Sequence, residues 1–210
     1  MFFSPVLAQV LTQVPAGNVY AVSTSIGGSQ IRAQELLDAY AVFGVPSSNI
    51  IALDHTQLQD GPEVPWPTDV VVQAVADAMQ QRGWPLQGFD EMITFDEEGV
   101  SSHPNHRAIA ASAKPLASLL GNTTRISRLT SLPLPLKYGS LPVALLHRVA
   151  LSFASSTSGT TPCSYALLSP RQYLTAARAM RAHRSQLLWF RYGWWTLSSY
   201  VFGGELCVDR

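Results

Sequence analysis

Charge is scarce in this chain of 210 residues: Asp, Glu, Lys and Arg make up 13% of it, against 47% for hydrophobic residues. Formal net charge is zero, and only two of the fourteen basic residues are Lys. Without a basic excess the chain lacks the electrostatic footprint of a nucleic-acid-binding domain. Low charge together with five Trp suits an apolar partner surface, and a membrane surface is the expected one. Cysteine is scarce too. Cys163 and Cys207 lie far apart without ligand-type spacing, so neither a disulfide framework nor a metal pair is expected, and a reducing environment is the default. No stretch reaches the roughly 18–20 uninterrupted apolar residues that span a bilayer. The nearest, Leu187 to Phe202, is interrupted by Arg191 and by serines. The aromatic residues of segment 187–202, Trp189, Phe190, Trp194, Trp195 and Tyr200, suit the headgroup zone of a membrane or a helix packed on its own domain. Amphipathicity alone does not choose between these. Met1 to Val14 is apolar but has no basic n-region, and reads as a helix ended by Pro15-Ala16-Gly17 rather than as a signal peptide.

What is present is an alternation of short β-rich runs with helical patterns. Asn18–Thr24, Asn49–Leu53, Phe89–Phe95 and Thr124–Leu129 read as strands; Gln30–Phe43, Thr68–Gln81 and Pro104–Leu120 read as helices. Such alternation argues for βαβ units and a mainly parallel sheet. The length suits one domain over residues 1–210. After Thr130 the pattern degrades: Pro133, Pro135 and Pro142 break the chain, and Ser152–Thr161 reads as a loop. A last helical region opens at Ser169-Pro170, a cap followed by proline at the first helical position.

The segment Thr94 to His106, Thr-Phe-Asp-Glu-Glu-Gly-Val-Ser-Ser-His-Pro-Asn-His, carries the chemistry. It leaves an apolar strand, crosses an acidic loop rich in Gly and Ser, and places His103 and His106 at the start of a helix opened by Pro104. Ligands in open α/β sheets bind at the carboxyl ends of the strands, where this loop lies. Two histidines at i and i+3 can share a pocket, one able to ligate a metal and the other to hydrogen-bond a reacting oxygen. The spacing alone is a weak signal, because catalytic zinc needs three protein ligands, and His55, His147 and His183 show no ligand-like spacing.

Taken together, the strand, Thr94-Phe95-Asp96 and His103-Pro104-Asn105-His106 resemble the second motif of the LmbE/PIG-L deacetylase family. Gly27, Gly28, Arg32, Glu35 and Leu36 are similar to its Gly-x-x-Arg-x-x-Glu-Leu segment. Phe43-Gly44-Val45-Pro46 followed by Asn49-Ile50 and Asp54 resembles its strand entry, and Asp60 with Trp66 fits the acidic loop that follows. His183 to Arg191 looks like the C-terminal signature of the eukaryotic branch, which acts on N-acetylglucosaminyl-phosphatidylinositol in GPI-anchor synthesis. The resemblance implies a Rossmann-like α/β fold with helices on both faces of a mainly parallel sheet. It also implies zinc-dependent hydrolysis of an acetamide on a glycolipid at the cytoplasmic face of the endoplasmic reticulum membrane. His106 matches the distal zinc ligand, and His103 matches the group that stabilises the oxyanion or protonates the leaving amine. Arg32 and Asp60 match positions that hold the headgroup or sugar hydroxyls; an ion-pair Arg and a loop-capping Asp explain them equally well.

The family's first motif, Ala-His-Pro-Asp-Asp-Glu, which supplies one histidine ligand, one aspartate ligand and the general base, is not in these 210 residues. In the family that motif is followed by Ala-Met-Phe-Phe-x-Pro, which Met1-Phe2-Phe3-Ser4-Pro5 resembles. The expectation is therefore a chain that begins just downstream, lacks the first core strand, is inactive by itself, and carries an apolar slot with unpaired strand edges. A non-catalytic, membrane-associated relative serving as an interaction subunit is the alternative. An α/β nucleotide-binding module with Ser23–Gly28 as phosphate loop is weaker, because Gly27-Gly28 lacks the G-x-G-x-x-G pattern.

Overall fold

Local signals in the first 130 residues become elements with few changes. The computed structural model describes residues 2–121, 123–154 and 163–209. Helix α1 (Ser4–Val10) leads to strand β1 (Ala21–Ser23), helix α2 (Gln30–Val42) and strand β2 (Ile50–Ala52). Next come α3 (Thr68–Gln81), β3 (Glu91–Phe95), the short α4 (Gly99–Ser102), α5 (Pro104–Ala111), α6 (Ala113–Leu120) and β4 (Arg125–Leu129). Then follow α7 (Leu134–Lys137), α8 (Ser140–Ala154), β5 (Cys163–Leu167), α9 (Pro170–Ala182), α10 (Trp189–Leu197) and β6 (Gly203–Val208). Ser29 caps α2 by accepting from the Arg32 N–H, and Ser169 with Gln172 forms a reciprocal capping box on α9.

Four expectations need correction. The single helix from Pro104 to Leu120 is two, α5 and α6, meeting at Ser112. Pro115 has no N–H to give the Ala111 carbonyl, and the Ser112 hydroxyl bonds back to the Ala108 carbonyl at 2.8 Å. Pro142 does not break the chain: it sits in the first turn of α8, where a missing N–H costs nothing. Ser152–Ala154 end that helix instead of opening a loop, and residues 155–162 lie outside the described ones. Finally, Cys163 and Cys207 are not free thiols. They stand opposite each other on β5 and β6, with Cα atoms 4.1 Å apart, and are joined in a disulfide.

The sheet comes in two pieces. β1 and β2 pair in parallel; β3 pairs in parallel with β4, and β6 runs antiparallel between β4 and β5 in the order β3-β4-β6-β5. Both pairs foreseen from the βαβ pattern are parallel, whereas the antiparallel part is an addition. One core gathers Ile51, Leu58, Val71, Met79 and Leu116 among β2, α3 and α6. A second joins Val6 of α1 and Leu129 of β4 to Tyr200, so helices cover the strands on more than one side. Among the described residues β1 pairs only with β2, and β3 only with β4. Beside β1 lies a cavity of about 240 Å³ lined by Leu7, Val22, Leu36, Tyr40 and His183.

Candidate active site

The carboxyl end of β3 feeds a loop that is tied down from several directions. Asp96 accepts from the Gly99 N–H at 3.0 Å and from the Ser131 hydroxyl at 2.6 Å, and also from the Ser131 N–H. The Val100 N–H donates to Ser131 Oγ at 2.7 Å, and buried Lys137 donates to the Val100 carbonyl at 3.0 Å. Burial pushes the Lys137 pKa down. Gly99 (φ 67°) is left-handed, and a Cβ there would stand 2.8 Å from His106 Cβ, so the backbone conformation and the close approach both require glycine. Val100 and Ser102 share positive φ without that freedom, a strain held by the bonds just named.

This loop fixes the His106 ring. Nδ1 lies 3.0 Å from the Gly99 carbonyl and 3.1 Å from Ser101 Oγ, and the ring stacks on Phe95 at 4.2 Å. A carbonyl can only accept, so Nδ1 carries the proton and Nε2 keeps its lone pair. Burial is the largest influence on this ring and holds its pKa below 6.5, which favours the neutral, ligand-competent form. An imidazole oriented by a carbonyl on its other nitrogen is the usual support of a metal ligand.

His103 has a different neighbourhood. It is the N-cap of α5, its Nδ1 accepting from the Asn105 N–H at 3.3 Å, which leaves Nε2 to carry the proton. That Nε2 faces Asp60 Oδ1 at 3.9 Å, and the two histidine rings are 5.3 Å apart. Asp60 also receives Arg32 at 3.4 Å and the Asn105 amide at 3.2 Å. Gly27 makes room for Arg32, whose guanidinium would lie 2.5 Å from a Cβ at that position. The four candidates Arg32, Asp60, His103 and His106 thus meet at one place, although they come from α2, the loop after β2, and the N-cap and first turn of α5.

Asn105 was not among them. It is buried, its amide is bound to Asp60, and its Oδ1 has no partner among the described residues. Its place between the two histidines, in the first turn of a helix opened by Pro104, is the signal that could have found it. Glu35 has a structural part instead. Burial raises its pKa, but the Ser185 N–H (2.6 Å) and hydroxyl (2.7 Å) outweigh that and hold it below the ordinary carboxylate value. Two of the sequence motifs therefore form a joint between α2 and the segment after α9.

The metal fit is partial. His106 is a well-prepared donor, but among the described residues no three His, Cys, Asp or Glu side chains group around it. The one such group is Cys163, Glu205 and Cys207, on β5 and β6, whose sulfurs are bonded to each other. These residues do not make up a three-ligand zinc site.

No family model matches the chain. Among curated proteins it is similar to the N-acetylglucosaminyl-phosphatidylinositol de-N-acetylase of Bos taurus, 32% identical over 214 residues that cover 96% of this chain and 75% of the relative. The enzyme of that name from Saccharomyces cerevisiae is 26% identical over 99% of this chain and 77% of its own length. Among solved structures, a deacetylase of the teicoplanin biosynthesis pathway superposes with a TM-score of 0.57 over 98% of this chain and 91% of that one. Its 11% identity makes it a likeness of fold. With the sequence relatives, the fold and the assembled histidine loop in agreement, this chain belongs to the N-acetylglucosaminyl-phosphatidylinositol de-N-acetylase family, hydrolases that act on N-acetyl groups.

Proposed function

We propose that the site serves zinc-dependent de-N-acetylation of N-acetylglucosaminyl-phosphatidylinositol in GPI-anchor biosynthesis, at the cytoplasmic face of the endoplasmic reticulum membrane. The observation that carries this reading is the different preparation of the two histidines. His106 keeps a free Nε2 on a fixed, neutral ring, while His103 holds its Nε2 proton toward the open side shared with Asp60. His106 is the donor for the metal. In its protonated form His103 stabilises the negative charge that develops on the acyl oxygen, or protonates the departing amine. Arg32 and Asp60 bind the headgroup and sugar hydroxyls, and the unpartnered Asn105 Oδ1 accepts from a hydroxyl or from the acetamide N–H.

One nitrogen does not hold a catalytic metal, so these 210 residues alone are inactive and turnover needs donors from outside them. The lone donor equally favours a second reading, a non-catalytic membrane-associated relative that acts as an interaction subunit. Acetate release from N-acetylglucosaminyl-phosphatidylinositol separates the two. The chain is assayed as it stands, and again with an N-terminal strand ending in Ala-His-Pro-Asp-Asp-Glu. Activity only in the extended form, with kcat lowered in His103→Ala at unchanged zinc content, supports the enzyme. An extended form that binds zinc and stays inert supports the interaction subunit. Full turnover by the unextended chain, or by His103→Ala, overturns the role assignment.

A further inference from the structure

Zero net charge conceals a division. The first 98 residues hold twelve of the fourteen acidic residues and two of the basic ones; residues 99–204 hold eleven Lys and Arg and no Asp or Glu. Some of these cations are satisfied locally. Arg128 pairs with Asp209 at 2.7 Å, and Arg125 reaches Glu91 at 3.7 Å. Arg171, Arg178, Arg181 and Arg184 are exposed, and among the described residues no carboxylate lies within 4 Å of them. The first three, with Leu174 (55% exposed), follow helical spacing, so they share the outer face of α9.

α10 follows after a six-residue connection. Five of its nine residues are aromatic and none is buried; Trp189 is 85% exposed. It is held rather than loose. Trp195 Nε1 donates to the Tyr173 hydroxyl of α9 at 3.2 Å, and Ser140 at the start of α8 bonds to the Thr196 carbonyl at 2.8 Å. α8 adds exposed Leu146 and Val149. On its inner side, α10 reaches the candidate site: Trp194 packs edge-on against Phe2 at 5.5 Å, and Phe2 lies 6.2 Å from the His106 ring.

We infer that the α9 arginine stripe and the exposed aromatic face of α10, extended by α8, form a docking surface for an anionic lipid bilayer. Aromatic rings and Leu or Val enter the headgroup zone while unpaired arginines meet lipid phosphates. α8, α9 and α10 themselves contribute no acid to this face. The inference rests on the glycolipid reading of the substrate, because a docked α10 sets the His103–His106 loop beside the plane in which an inositol phospholipid presents its headgroup. An acidic protein is the competing occupant.

The test is flotation of the 210-residue chain with vesicles of phosphatidylcholine alone or with added phosphatidylinositol, free of the amino-sugar substrate. Docking predicts binding to the anionic vesicles, weakening as salt shortens the reach of surface charge. Each arginine neutralised is worth about fivefold, so Arg178→Gln/Arg181→Gln weakens binding by about 25-fold on that principle, while Arg178→Lys/Arg181→Lys keeps it. Trp189→Ser lowers binding to every vesicle, and His106→Ala leaves binding intact. Because no turnover is measured, docking can fail while the catalytic reading stands, and the reverse. Equal binding to neutral and anionic vesicles, indifference to both the arginine and Trp189 changes, or self-association that Trp189→Ser abolishes would overturn the inference.

Discussion

The two arms of the candidate site are built differently. Around His106 every constraint is short and redundant: a carbonyl, a hydroxyl, a stacked Phe95, and beneath them Asp96 with three bonds of its own. Around Asp60 the contacts are longer, 3.2 to 3.9 Å, and the Arg32 and Asp60 side chains are 39% and 45% exposed. A metal ligand must be in place before the metal arrives. Groups that receive a sugar exchange water or each other for the substrate, and a tight ion pair there would have to be broken first. On the proposed roles, the rigid arm is where sequence changes cost folding energy, and the open arm is where they cost binding.

The largest expected effect tests the rigid arm. Asp96→Ala leaves the Ser131 N–H without its acceptor and removes the carboxylate's bonds to the Ser131 hydroxyl and the Gly99 N–H, which keeps the Asp96 carbonyl. It should lower stability by about 2 kcal/mol in urea unfolding, whereas a loss under about 0.5 kcal/mol would mean that the loop is held some other way. Next is the joint that anchors the helix of the open arm. Burial pushes the His183 pKa down to about 4 from 6.5, two residues before Ser185. Between those values the unfolded chain takes up a proton that the folded chain refuses. Stability should fall as pH drops from 6.5 to 4, by on the order of 2 kcal/mol, and level off below. His183→Gln should flatten that part of the profile relative to the parent chain; parallel profiles would contradict the assignment. Gly99→Ala, with a left-handed φ and a contact to His106, should cost about 1–2 kcal/mol by the same unfolding measurement. Smallest is Arg32→Ala. An exposed ion pair is worth under about 0.5 kcal/mol, so melting should barely move while KM for the glycolipid should rise in the extended form proposed to be active. A large drop in melting with unchanged KM would make Arg32 structural.

Much of the fold was legible because the βαβ half is written in local periodicity; α3 runs from Thr68 to Gln81 as its valine spacing implies. The antiparallel half was not. β6 opens on Gly203-Gly204 and its partners are set by α9 and α10, so no local pattern announces it. The same distance hid the disulfide, since only register brings Cys163 opposite Cys207. Spacing showed the two histidines, and their different tautomers follow from Gly99 and Asn105, which no spacing rule weighs. Arg32 and Asp60 reached the site through family resemblance, because 28 residues and strand β2 separate them. The charge division was open to view in the sequence, but totals averaged it away.

Zinc content bears most directly on the view that His106 is a finished ligand in an unfinished site. The 210-residue chain, equilibrated with zinc and passed over a chelating resin, should retain well under one equivalent. The form extended by Ala-His-Pro-Asp-Asp-Glu should retain one, losing it in His106→Ala and keeping it in His103→Ala. A full equivalent held by the unextended chain, or zinc retention indifferent to His106→Ala, would contradict that view.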